Sequence, residues 1–170
     1  MSDRRFGTRT LCRLALLTGV ALVLSYLEGL LPPVVPLPGV KLGLANLVTL
    51  FLLYRVGVAE AALVLAARIL LSSLLFATPA AALYSLGGGA CALLAMTLCR
   101  KCGRFSPPGV SVAGAAAHQL GQLAVAALLL RSAALFSYLT PLLLVSLVTG
   151  TGNGLIFLLV RDVPLSSDGK

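Results

Sequence analysis

Apolar residues run through the chain in long blocks, separated by breaks at Pro32 to Gly39, Arg55 to Gly57, Ala77 to Pro79, Arg100 to Pro108 and Arg131 to Ser132. Each block approaches the ~20 residues a helix needs to cross a bilayer's hydrocarbon core. The pattern predicts six spans: Leu11 to Leu31, Lys41 to Tyr54, Val58 to Phe76, Ala80 to Leu98, Val110 to Leu130 and Leu139 to Val160. The second is the shortest and is expected to begin within the headgroup region. The first follows a basic segment, as in a signal peptide, but its apolar run is too long for one, so it reads as a retained span. The expected fold is an all-α integral membrane protein, a bundle of six transmembrane helices over residues 11–162, with tails at 1–10 and 163–170.

Composition supports this reading. Hydrophobic residues make up 59% of the chain and charged residues 11%, and the mean hydropathy is +1.03. A water-soluble domain of 170 residues could not hide that much apolar surface inside itself. The net charge of +8 does not point to nucleic acid, because the basic residues are scattered between apolar blocks instead of forming a stripe with interleaved aromatics. They fit a topology signal instead. With the N-terminus inside, Arg4, Arg5, Arg9, Arg13, Arg55, Arg100, Lys101, Arg104, Arg161 and Lys170 are cytoplasmic, against Lys41 and Arg131 outside. Both termini are therefore expected in the cytoplasm and the chain in the cell membrane. Cys99 and Cys102 form a CxxC without a second pair, so neither a metal nor another cofactor is expected.

Several residues conflict with a purely lipid-facing role. In PGVKLGLANLVTLFLLY (38–54), Gly39 and Gly43 lie four apart, with Lys41 between them and Asn46 just beyond. A cation and an amide at membrane depth cost free energy unless they face protein or ligand, so this stretch reads as the wall of a binding site. Arg68, near the centre of the third span, is the costliest residue in the sequence. It either forms a structural ion pair with Glu28 or, together with Lys41, offers positive charge to an anionic ligand while Glu28 sets the orientation. The fourth span carries Tyr84, Ser85 and the triplet Gly87, Gly88 and Gly89, suited to close approach by a helix or by a ligand. In the fifth, AHQLGQ (117–122) puts His118 and Gln122 on one face with Gln119 beside it, fit for hydrogen bonding to a ligand or between helices.

The first span has small residues at Ala15 and Gly19, and again at Ala21, Ser25 and Gly29. These stripes suit packing within the bundle or docking of another membrane subunit. The apolar, proline-rich LPPVVPLPG (31–39) should be stiff enough to serve as a lid. TGTGNG (149–154) invites a local break or a tight helix crossing, with Asn153 toward the cytoplasmic side as a weaker site candidate.

The blocks PGVKLGLANLVTLFLLY, LAARILLSSLLF, LYSLGGGACALLAM and SPPGVSVAGAAAHQLGQ, in that order, resemble the Gx transporter family, also labelled heptaprenyl diphosphate synthase component I. The resemblance runs from about Glu28 to Gln122 and, more weakly, through the last span; Gln119 stands where that family's pattern has asparagine. The architecture is similar to the substrate-binding S components of energy-coupling factor transporters. The resemblance implies a subunit that captures a small ligand from outside and works with a transmembrane coupling protein and cytoplasmic ATPases. The expected ligand-binding residues are Glu28, Lys41, Asn46, Arg68, Tyr84, His118 and Gln122, with Ala15 and Gly19 as a partner-docking stripe. Prenyl chain elongation by the usual route needs Asp-rich clusters to hold Mg²⁺, and this chain has five acids, none closely spaced. A catalytic role is therefore not expected, though a non-catalytic accessory role in prenyl diphosphate or quinone synthesis remains an alternative.

Overall fold

The computed structural model describes residues 7–31, 41 and 43–162. Every regular element among them is helical: α1 Thr8–Leu30, α2 Asn46–Arg55, α3 Val58–Leu75, α4 Pro79–Cys102, α5 Pro107–Leu130, a 3-10 segment Ala133–Tyr138, and α6 Leu139–Val160. Helices α1, α3, α4 and α5, and the stretch Ala133–Val160 that contains α6, are long and apolar enough to cross a membrane. Their outward faces carry Leu16, Leu74, Leu128, Val148 and Leu159, all exposed. Such a surface belongs in hydrocarbon. The chain is a multi-pass membrane protein. The expected lid, 31–39, lies outside the described residues except for Leu31, as do most of the two tails.

Three helices run past their apolar blocks: α1 begins at Thr8, α4 spans Pro79–Cys102 and α5 begins at Pro107, and for α4 and α5 capping chemistry sets the start. Thr78 accepts a hydrogen bond from the Ala81 N–H with Pro79 in the first turn, and Ser106 accepts one from the Gly109 N–H with Pro107 and Pro108 behind it. Proline is tolerated there because its missing N–H would have had no helical partner. At the other end, Gly103 closes α4 in the left-handed region at φ 67°.

The larger difference is the second span. Helix α2 is 10 residues long, about 15 Å at 1.5 Å per residue, or half of a ~30 Å hydrocarbon core. It is nonetheless the centre of the molecule. Val48, Thr49, Leu50, Phe51, Leu52 and Leu53 are all buried, and α2 touches every other helix. Around it, α1, α3, α4, α5 and α6 form an arc in which each packs on the next. The arc does not close, since α1 makes no contact with α6 among the described residues. Between them lies an apolar groove of about 600 Å³, lined by Leu16, Leu17, Val20, Phe51, Ile156 and Val160 among others.

Glycines set the tightest packing. In a membrane, helices gain little by excluding lipid from one another, so association relies on close backbone approach. A Cβ on Gly121 would stand 2.5 Å from the Gly87 carbonyl oxygen, and one on Gly150 would stand 2.6 Å from the Val112 Cα. Gly154 meets Pro108 in the same way. TGTGNG is thus a tight crossing of α6 on α5, and α6 runs through it unbroken. The glycine triplet is resolved similarly: Gly87 faces Gly121 and Val125, Gly88 faces His118 and Gln122, and Gly89 faces Leu65 of α3.

One end of the bundle is basic. Arg55 donates to the Arg161 carbonyl, and Arg100 donates to the Leu53 carbonyl with its guanidinium 4.9 Å from the centre of the Tyr54 ring. Arg55 and Arg100 sit in the last turns of α2 and α4, where cations offset the negative end of the helix dipole.

Candidate ligand-binding site

The half-length of α2 decides where the polar residues go. Its N-terminus ends inside the bundle, so the chain just before it must enter from the end opposite the basic one, carrying unpaired main-chain groups to membrane depth. Those groups are met by side chains. The Glu28 carboxylate on α1 accepts from the Gly43 N–H and, at 3.2 Å, from the Leu44 N–H. Asn153 on α6 donates to the Gly43 carbonyl at 3.1 Å. Gln122 on α5 accepts from the Lys41 N–H at 2.9 Å. Three helices therefore hold three consecutive parts of one short segment. Gly43 has φ +90°, a conformation that strains any residue with a Cβ, and a Cβ there would also stand 2.9 Å from Asn46 Nδ2 and 3.4 Å from His118 Cδ2.

The network fixes its own donors and acceptors. Because Gln122 Oε1 accepts from Lys41, its Nε2 faces His118 Nε2 at 2.6 Å and donates to it. The imidazole thus accepts at Nε2 and carries its proton on Nδ1, which points toward the Gly88 main chain without a well-formed hydrogen bond.

Arg68 lies ten positions along α3 from Val58, and Asn46 lies nine positions before Arg55 at the end of α2. Since the two helices are antiparallel across the tight turn at Val56 and Gly57, these residues are level with each other, about 14–15 Å from the turn. Arg68 is 3% exposed and donates through Nη1 to Ser25 Oγ at 2.9 Å. It does not form an ion pair with Glu28 among the described residues, so that structural alternative is not realised. Glu28 instead secures the segment before α2. Even so, Glu28, Lys41 and Arg68 lie within electrostatic range of one another, and His118 within range of the two cations.

Five buried polar atoms in this region have no hydrogen-bond partner among the described residues: Asn46 Nδ2, Arg68 Nη2, His118 Nδ1 and both amide atoms of Gln119. Leaving such a group unpaired costs about 1–3 kcal/mol each, and hydrocarbon surroundings supply no water to relieve it.

Of the seven expected ligand residues, Glu28, Lys41, Asn46, His118 and Gln122 meet around Gly43, and Arg68 is level with them. Tyr84 is buried on the Gly88 face of α4, one turn away, but makes no hydrogen bond among the described residues. Three participants are additional. Ser25 reads in the sequence as a small packing residue. Asn153 reads as too near the basic end, because the sequence does not reveal how deep Gly43 descends. Gln119 reads only as a neighbour of His118. Their shared signal is a polar side chain inside a hydrocarbon-length block. The docking stripe behaves differently: Ala15 is exposed and a Cβ on Gly19 would meet nothing within 4 Å, so neither is used for packing among the described residues.

Membrane-crossing helices around a closed polar cluster define a multi-pass helical membrane protein with an intramembrane polar centre. Over residues 17–159, from α1 almost to the end of α6, the chain matches the model of a family described as heptaprenyl diphosphate synthase component I. It belongs to that family. Comparison with curated proteins and with solved structures gave no match.

Proposed function

We propose that this protein is a substrate-binding membrane subunit, similar to S components, which captures a small anionic ligand for transport energised by a separate ATP-driven module. The observation that carries the reading is the set of unpaired buried groups around the α2 N-terminus. Arg68 Nη2 and Asn46 Nδ2 are both donors, so their partner must be an acceptor. Two cations, Arg68 and Lys41, face one carboxylate, Glu28, whose bonding oxygen already serves two main-chain N–H groups. An oxyanion such as a carboxylate or phosphate complements that balance.

The basic end of the bundle is assigned to the cytoplasm by the excess of arginine and lysine there. Ligand then enters from the outer side, toward Lys41 and Gly43, and the stripe of α1 with the exposed Ala15 and the half-buried Gly19 is left for a transmembrane coupling protein. The test is to purify the protein in mild detergent, denature it and identify the released small molecules. The wild type releases an anion in stoichiometric amount and Arg68→Met releases none while remaining folded. Equal release from both would reject the ligand role of Arg68.

The family description favours a second reading, a non-catalytic accessory of prenyl diphosphate synthesis. Under it, the chain co-purifies with a soluble, Asp-rich prenyltransferase, and product forms only when both are present.

A further inference from the structure

The two glutamines of α5 are in opposite states. Gln122 is engaged on both sides of its amide, since Oε1 accepts from Lys41 and Nε2 donates to His118. Gln119 is completely buried, yet neither amide atom has a partner among the described residues. Its surroundings do not resolve this. Gly150 of α6 packs against Val112 and Ala115, so Gln119, one turn beyond Ala115, lies on the edge of α5 nearest α6. There the Ser146 hydroxyl already donates to the Leu143 carbonyl, and the Asn153 amide nitrogen to Gly43.

We propose that Gln119, not Gln122, is the α5 amide that reads the ligand, and that the ligand bears, beside its anionic group, a neutral edge with an N–H next to a C=O. The inference rests on the capture reading above. A primary amide presents a donor and an acceptor side by side, and two-point pairing with a complementary edge is how glutamine and asparagine read adenine in nucleic acids. A lactam, an imide or a nucleobase-type ring offers that edge. A bare prenyl diphosphate does not, because it has only acceptors and leaves Gln119 Oε1 unpaired. Gln122 then acts as a positioning residue that holds the Lys41 segment and His118 in place.

The experiment is isothermal titration of the purified full chain with two matched pairs of probes: pyroglutamate against cyclopentanecarboxylate, and orotate against benzoate. Each pair shares a carboxylate and a ring size, but only the first member has the N–H and C=O edge. The wild type binds the first member at least about tenfold more tightly, equivalent to about 1.4 kcal/mol. Gln119→Met and Gln119→Leu abolish that preference while keeping the thermal stability of the fold. Arg68→Met weakens every probe that binds. Equal affinities within each pair, or a preference that survives both Gln119 variants, would overturn the inference and mean that Gln119 holds only buried water. The capture reading would survive that result if binding still depended on Arg68. No binding of any probe at millimolar concentration overturns the inference; the capture reading is then judged separately by whether Arg68→Met releases less anion than the wild type.

Discussion

Replacing Gly88 with alanine puts one methyl group where α4 and α5 are closest to the polar centre. The new Cβ would stand 2.7 Å from Gln122 Cγ, 2.8 Å from the His118 carbonyl oxygen and 2.9 Å from His118 Cε1. Comfortable carbon contacts begin near about 3.5 Å, so the methyl overlaps its surroundings on three sides, and one of those neighbours is backbone. The two side chains cannot simply swing aside, because they are bonded to each other and Gln122 is also bonded to the Lys41 N–H. Overpacking of this kind costs about 1–3 kcal/mol, partly offset by the ~1 kcal/mol that alanine gains over glycine in a helix interior. Gly19→Ala is the matched control: it adds the same methyl within α1, where nothing lies within 4 Å, and should only gain the propensity term. Thermal unfolding in detergent, followed by loss of helical circular dichroism, therefore ranks Gly19→Ala above the wild type and Gly88→Ala below it. Gly88→Ala should also retain less bound anion. If Gly88→Ala matched Gly19→Ala in stability, the close approach of α4 to α5 at His118 would be refuted.

Other consequences can be checked in the same way. Glu28→Gln keeps an acceptor for the Gly43 and Leu44 N–H groups but removes its charge, and should lower stability by about 1 kcal/mol, the difference between charged and neutral hydrogen bonds; unchanged unfolding would detach Glu28 from that segment. Asn153→Leu removes one of the two donors to the Gly43 carbonyl, leaving the Asn46 N–H at 3.0 Å, and should cost about 0.5–1.5 kcal/mol, measured by the same unfolding assay. Gly43→Ala combines a positive φ with a clash against Asn46, so a loss of at least about 1 kcal/mol is expected, together with weaker anion retention; wild-type behaviour would show that the segment does not take this path.

The fold was legible because its main signal is length. Hydrocarbon-length apolar blocks and their breaks locate the five long helices, and the family blocks agree with the match over 17–159. The second span was misjudged for a physical reason. Lys41 to Asn46 is as apolar as a helix start, but hydropathy does not register that Gly43 takes a positive φ or that Glu28, Asn153 and Gln122 supply the bonds a helix would otherwise provide. Once α2 is short, depths change. Asn153, which looks distant from the site when α2 is drawn as a full span, becomes its anchor. Arg68 is identifiable as costly from its position alone, whereas its partner is not: the sequence offers Glu28, an acid at the outer end of the first span, while the fold uses the hydroxyl of Ser25. Side-chain pairing between separate helices depends on rotation and register, which a single sequence leaves open.

On the proposed reading, the donors left unpaired at the buried end of α2 hold a small anion. A high-resolution cryo-EM map of the purified protein, in complex with a rigid binder to aid alignment, tests it most directly. Non-protein density is expected within hydrogen-bonding distance of Arg68 Nη2 and Asn46 Nδ2, together with its loss in Arg68→Met. A map in which those two groups instead pair with protein atoms, with no density between them, would contradict it.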